Sequence, residues 1–139
     1  MNTTPRSAHE KIGGMMYFPR MLDKIRLYVK GELRSDFHAN LGKGMDGWCT
    51  DFLRVTYADL KSRVLEGGTD EEILQWCFEN GKKPNDTDLL IWNHFITKLG
   101  WNDMVSPLLQ KRKAESGLAN RSDIITMIGY FEVDEGRKP

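Results

Sequence analysis

Apolar side chains along this chain recur mainly at intervals of three and four residues, the spacing of one face of an α-helix. In FPRMLDKIRLYVKG, residues 18–31, one sector collects Phe18, Met21, Leu22, Ile25, Tyr28 and Val29, while Arg20, Asp23, Lys24 and Leu27 lie on the other side. Pro19 suits the first turn, where its missing N–H has no intrahelical partner to lose, and Gly31 suits the stop. MDGWCTDFLRV predicts a second, shorter helix using Met45, Trp48, Cys49, Phe52 and Leu53, against the cost of about 1 kcal/mol that Gly47 imposes inside it.

Four further starts share one chemical signal. Thr56 stands three positions before Asp59, and the same spacing joins Thr69 to Glu72, Asn85 to Asp88 and Asn120 to Asp123. In each pair the first side chain can accept an orphan backbone N–H, and the acidic residue sits at the positive end of the helix. Gly67-Gly68, Gly81, Gly100 and Gly117 supply the stops. The helices predicted here run over residues 57–66, 70–80, 86–99, 102–116 and 121–131. The 86–99 helix is apolar around much of its girth. Leu89, Trp92, Phe95, Ile96 and Leu99 form its main stripe and Leu90 and Ile91 widen it, which marks it as the central element.

Little remains for strands. ITMIGYF is the one short segment of strand character, and it has no evident partner. Residues 31–44 read as a loop with short turns, and residues 1–17 as an arm outside regular structure that packs through Ile12, Met15, Met16 and Tyr17. The expected fold is therefore all-α, a compact irregular bundle of about six or seven short helices. Its expected organisation is an N-terminal arm at 1–17, a single helical domain at 18–133 and a polar C-terminal tail at 134–139.

Charge divides this picture unevenly. The chain balances 20 Lys and Arg against 20 Asp and Glu, yet residues 1–34 carry seven basic and three acidic residues, a net of +4. Without a global cationic field, nucleic acid is not an expected partner. Either the acidic remainder holds the basic start, or that start faces an anionic ligand. No run is long and apolar enough to cross a bilayer and no continuous apolar signal stretch opens the chain, so no membrane partner and a cytoplasmic location are expected.

The candidate chemistry is sparse. Cys49 and Cys77, in no CxxC or Cys/His set, read as buried free thiols. His9, His38 and His94 supply no zinc spacing, so neither a metal nor a cofactor is expected. The serines lack a nucleophile elbow, Gly42-Lys43-Gly44 is too short for a phosphate loop, and Lys111-Arg112-Lys113 reads as a solvated helix end. Trp48, Trp76, Trp92 and Trp101 read as core, with room for one ring at a partner surface. The most informative group is Tyr17, Arg20, Asp23 and Lys24, with Arg26 nearby. Arg20, Asp23 and Lys24 can share a helix surface, where two cations beside a carboxylate could orient a phosphate or carboxylate ligand or form an internal ion network.

In order along the chain, MMYFPRMLDKIRLYVKG, EGGTDEEILQWC, LLIWNHF and RSDIITMIGYFEVDEG together resemble the bacterial domain of unknown function numbered 5069, over about residues 5–137. The most distinctive part is FPRMLDK with the preceding Gly13-Gly14, and Phe18 stands where that family often has leucine. The resemblance implies a stand-alone bacterial cytoplasmic domain, transfers no catalytic residue, and makes Pro19, Arg20, Asp23 and Lys24 the first group to inspect. Three functions follow as alternatives. The leading one is a non-enzymatic binding or interaction domain that presents Tyr17, Arg20, Asp23 and Lys24 to an anionic small molecule or protein. The others are a small hydrolase or transferase assembled from distant residues, and a homo-oligomerisation module; whether the chain is an enzyme and how many copies assemble stay open.

Overall fold

The computed structural model describes residues 3–139 and is mostly helical. Among the described residues are seven α-helices: α1 (Phe18–Val29), α2 (Met45–Leu53), α3 (Tyr57–Leu65), α4 (Asp70–Asn80), α5 (Asp86–Lys98), α6 (Ser106–Glu115) and α7 (Met127–Asp134). A 3-10 helix, Ser35–Asn40, lies in the segment expected to be a loop. The expected all-α class is thus the one observed. The chain forms two compact units, one ending at Leu90 and the other Ile91–Pro139, so the boundary falls within α5.

In the first unit the arm is more regular than its sequence suggests. Lys11–Ile12 (β1) and Met15–Met16 (β2) pair antiparallel across Gly13 and Gly14, whose φ values of 57° and 78° are those a tight hairpin turn demands and glycine adopts freely. With only two residues in each strand, apolar alternation has no length in which to appear. Thr3 also bridges to Leu33 in parallel register, its N–H donating to the Glu32 carbonyl at 2.7 Å. α1 packs against β1 and α3, and α3 against α2 and α4. Ala8, Met15, Phe18, Met21, Leu22, Cys49, Leu53, Leu60, Ile73 and Cys77 are wholly buried among these elements. Gly47, which counted against α2, sits where a Cβ would come within 3.3 Å of the Gly42 carbonyl oxygen.

Three expected caps hold. The Thr56 side chain accepts the Asp59 N–H, Thr69 and Glu72 form a reciprocal capping box, and Asn85 and Asp88 exchange the same pair of bonds. The fourth does not. α7 begins six residues beyond the expected 121, because Thr126 accepts the Gly129 N–H at 3.0 Å while Asp123 is drawn to Arg121 instead. Likewise α6 starts at Ser106 and not at 102, since the Asp103 carboxylate caps the preceding loop by accepting the Gly100 and Val105 amides.

α5 departs from its expected central place. Trp92 and Ile96 are buried along it and Leu99 just beyond, whereas Leu90, Ile91 and Phe95 face solvent. The helix is apolar on more sides than its own chain covers. In the second unit α6 packs against α7, with Leu109, Ile124, Met127, Ile128 and Tyr130 buried.

Candidate functional site

The group singled out on α1 separates into an inner and an outer network. Arg20 and Lys24, four positions apart, both turn inward and are 1% and 7% exposed, and Tyr17 at the N-cap is 2% exposed. Tyr17 has φ of 76°, a left-handed conformation that bulky residues rarely adopt. Its ring lies in the core, and its hydroxyl bonds to both Asp46 and Lys24.

The inner network closes on Asp46, a residue that is 0% exposed. The Tyr17 hydroxyl donates to Asp46 Oδ1 at 2.6 Å, Lys24 Nζ lies 2.7 Å from the same oxygen, and Lys24 donates to the Tyr17 hydroxyl at 3.0 Å. Asp46 Oδ2 accepts the Gly42 backbone N–H at 3.0 Å. A buried carboxylate is tolerated when a cation and several donors replace its water, and this one has all of them. Sequence reasoning missed Asp46. The available signal was its register, for Asp46 shares a face of α2 with Cys49, Thr50 and Leu53, all of them buried.

The outer network ties the arm to α1 and α4. The Arg6 guanidinium forks onto Asp23, with Nε 2.9 Å from Oδ2 and Nη2 3.0 Å from Oδ1, and the Arg6 backbone N–H adds a third bond to Oδ2. Arg6 Nη2 also donates to Asp70 at 2.6 Å, and Arg26 donates to the other Asp70 oxygen at 2.6 Å. Arg20 belongs to the outer network, donating from Nη1 to the Arg6 carbonyl, and its guanidinium stands over the Phe37 ring. Arg20, Asp23 and Lys24 therefore lie on one helix as expected, with Tyr17 at its N-cap, but Asp23 faces Arg6 while Lys24 faces Asp46.

Proton affinities follow from these surroundings. Burial pushes the Tyr17 hydroxyl well above its ordinary value, and the nearby Asp46 charge adds to the rise. Burial does the same to the Cys49 thiol, again helped by Asp46, and raises the Cys77 thiol to about 12. Both cysteines are free and buried, so neither presents a thiolate. For Asp70 burial is the largest influence and acts against the charge, but the hydrogen bonds from Arg6 and Arg26 outweigh it and lower the carboxyl.

The remaining candidates are dispersed. His9, His38 and His94 are all exposed, and His38 Nε2 lies 3.0 Å from the Leu33 carbonyl oxygen. Among the described residues no cluster of His, Cys, Asp and Glu converges to hold a metal ion. No described helix is long and apolar enough to cross a membrane. Within the basic run Lys113 is not solvated as expected. It is 3% exposed and donates to the Arg121 and Ile124 carbonyls at 2.6 and 3.0 Å, stapling the loop before α7. Of the four tryptophans, Trp92 is buried and Trp101 is 55% exposed.

Fold and site together define an all-α protein whose first unit is locked around a buried Tyr17–Lys24–Asp46 triad. The chain matches the family described as a domain of unknown function, DUF5069, over residues 2–137 and belongs to it. No curated protein matches the sequence.

Proposed function

We propose that this chain is a non-enzymatic binding module in which Tyr17, Arg20, Asp23 and Lys24 act as an internal fastener and the second unit presents the binding surface. The observation that carries this reading is where large apolar side chains meet solvent. In the second unit Ile91, Trp101, Met104 and Ile125 are 63%, 55%, 71% and 55% exposed. Fully burying one such side chain gains about 1.5–3 kcal/mol, and apolar side chains gathered into one exposed patch mark contact sites.

The loop between α5 and α6 supports the reading independently. Asp103 accepts the Gly100 and Val105 amides, and the Ser106 hydroxyl accepts the Asp103 N–H while donating to the Gly100 carbonyl. The backbone that carries Trp101 and Met104 is thus pinned by hydrogen bonds, so little backbone ordering cost is left to binding. Tryptophan is also enriched among the side chains that dominate binding energy. We place the module in the cytoplasm, a compartment that keeps thiols such as Cys49 and Cys77 reduced.

A photoreactive benzoylphenylalanine at position 104 tests this in living cells, with the same group at exposed position 66 as control. The expected result is a discrete covalent adduct, protein or lipid, from position 104 alone. Equal labelling at both positions, or none at 104, removes the reading.

A further inference from the structure

The charges around this loop narrow the partner. Between Lys98 and Arg112 the order is Lys98, Trp101, Met104, Leu108, Lys111 and Arg112, an apolar centre with cations on both sides. Asp103 is the one acidic residue in that stretch, and its carboxylate is turned onto the Gly100 and Val105 amides. Lys98 and Lys111 are exposed, and Leu108, Lys111 and Arg112 share a face of α6 at spacings of three and four. A second copy seated on the same surface would set cation against cation.

From these observations, and resting on the binding-module reading above, we infer that the loop docks the second unit on the surface of an anionic bilayer. Trp101, Met104 and Leu108 enter the boundary between headgroups and acyl chains, and Lys98, Lys111 and Arg112 pair with lipid phosphates. Tryptophan favours that boundary. Each Lys or Arg at an anionic surface contributes about fivefold in affinity, and durable attachment needs both an apolar and a basic signal, which this segment combines. A planar anionic layer also asks for no complementary pocket, only for apolar groups on a fixed loop with cations beside them. The contact lies on the membrane surface: the expectation of no membrane partner rests on the lack of a spanning run, and no described helix is long and apolar enough to span one, but surface docking needs no such run.

Co-sedimentation of the full chain with equimolar phosphatidylglycerol–phosphatidylcholine vesicles, and with phosphatidylcholine alone, tests the inference. Binding is expected to the anionic vesicles only and to fall with added salt. Met104→Asp should weaken it about tenfold or more, and Lys111→Gln with Arg112→Gln about twentyfold. Met104 and Lys111 are exposed and Arg112 is half-buried, and unchanged melting curves confirm that the variants fold. No sedimentation with anionic vesicles overturns the inference, as does binding that Met104→Asp leaves intact. A protein adduct at position 104 without vesicle binding overturns the bilayer and keeps the module; absence of both removes both.

Discussion

The Lys24 ammonium lies 2.7 Å from a carboxylate oxygen of Asp46, and the two side chains make that contact from neighbouring segments of the first unit with almost no exposure to water. Withdrawing two charges from water costs several kcal/mol per ion, and mutual attraction repays it only when the other hydrogen-bonding positions are filled. Tyr17 and the Gly42 amide fill them. The pair is therefore expected to contribute more to how α1 faces α2 than to net stability.

That distinction can be measured. Asp46→Ala leaves the Lys24 ammonium buried without its counter-charge and is expected to cost about 3–5 kcal/mol in urea denaturation. Lys24→Met combined with Asp46→Asn removes both charges at similar volume, keeps an amide oxygen as acceptor beside Tyr17 and the Gly42 N–H, and should recover most of that loss. If the double variant is as unstable as Asp46→Ala, the ion pair itself is a main source of stability.

Asp70 makes the outer network sensitive to acid. Its folded pKa lies below the ordinary value of 3.8, lowered by Arg6 and Arg26 against the pull of burial. A depressed carboxyl stabilises the fold above its unfolded pKa, and that contribution disappears as pH falls through the folded value. The stability gap between the native chain and Asp70→Asn should therefore be constant from neutral pH to about pH 5 and close below about pH 4. A gap that widens on acidification would reverse the sign of this argument.

The sequence made α1 to α5 legible because their signals are local. A capping side chain, a stripe at three and four and a glycine stop all act within a few residues, as at Thr69, Ile73 and Gly81. The hairpin was too short for its pattern to register. α7 was misplaced because Asn120 and Asp123 imitate a cap that Arg121 dissolves by drawing Asp123 away. At the site, Arg20, Asp23 and Lys24 are legible as a cluster on one helix with Tyr17 just before it, but the partners Arg6 and Asp46 stand 17 positions before Asp23 and well beyond Lys24 in the chain, and no local rule links them.

The two cap readings for α7 make opposite predictions. Thr126→Ala removes the acceptor for the Gly129 N–H and should destabilise the chain by about 1 kcal/mol, whereas Asn120→Ala should cost no more than a few tenths. Thermal or chemical unfolding of the two variants decides between them; an equal loss from Asn120→Ala would place the helix start where its sequence suggests.

Gly81 tests how closely the first unit is packed at backbone level. A Cβ at that position would fall 2.1 Å from the Leu53 carbonyl oxygen and 2.9 Å from that of Arg54, and the Lys82 N–H donates to the same Leu53 oxygen at 2.8 Å. Backbone atoms cannot turn aside as a flexible side chain can, so Gly81→Ala must displace the segment that follows α2. An expected loss of about 1–3 kcal/mol, at the upper end if the Lys82 bond breaks, follows from overpacking. Gly117→Ala is the control, because its Cβ meets nothing within 4 Å and only its φ of 73° opposes the change, at about 1 kcal/mol. Equal losses from the two variants would mean that the approach between Gly81 and Leu53 relaxes freely, whereas a larger loss at Gly81 marks that contact as the point where α2 and α4 are held in register.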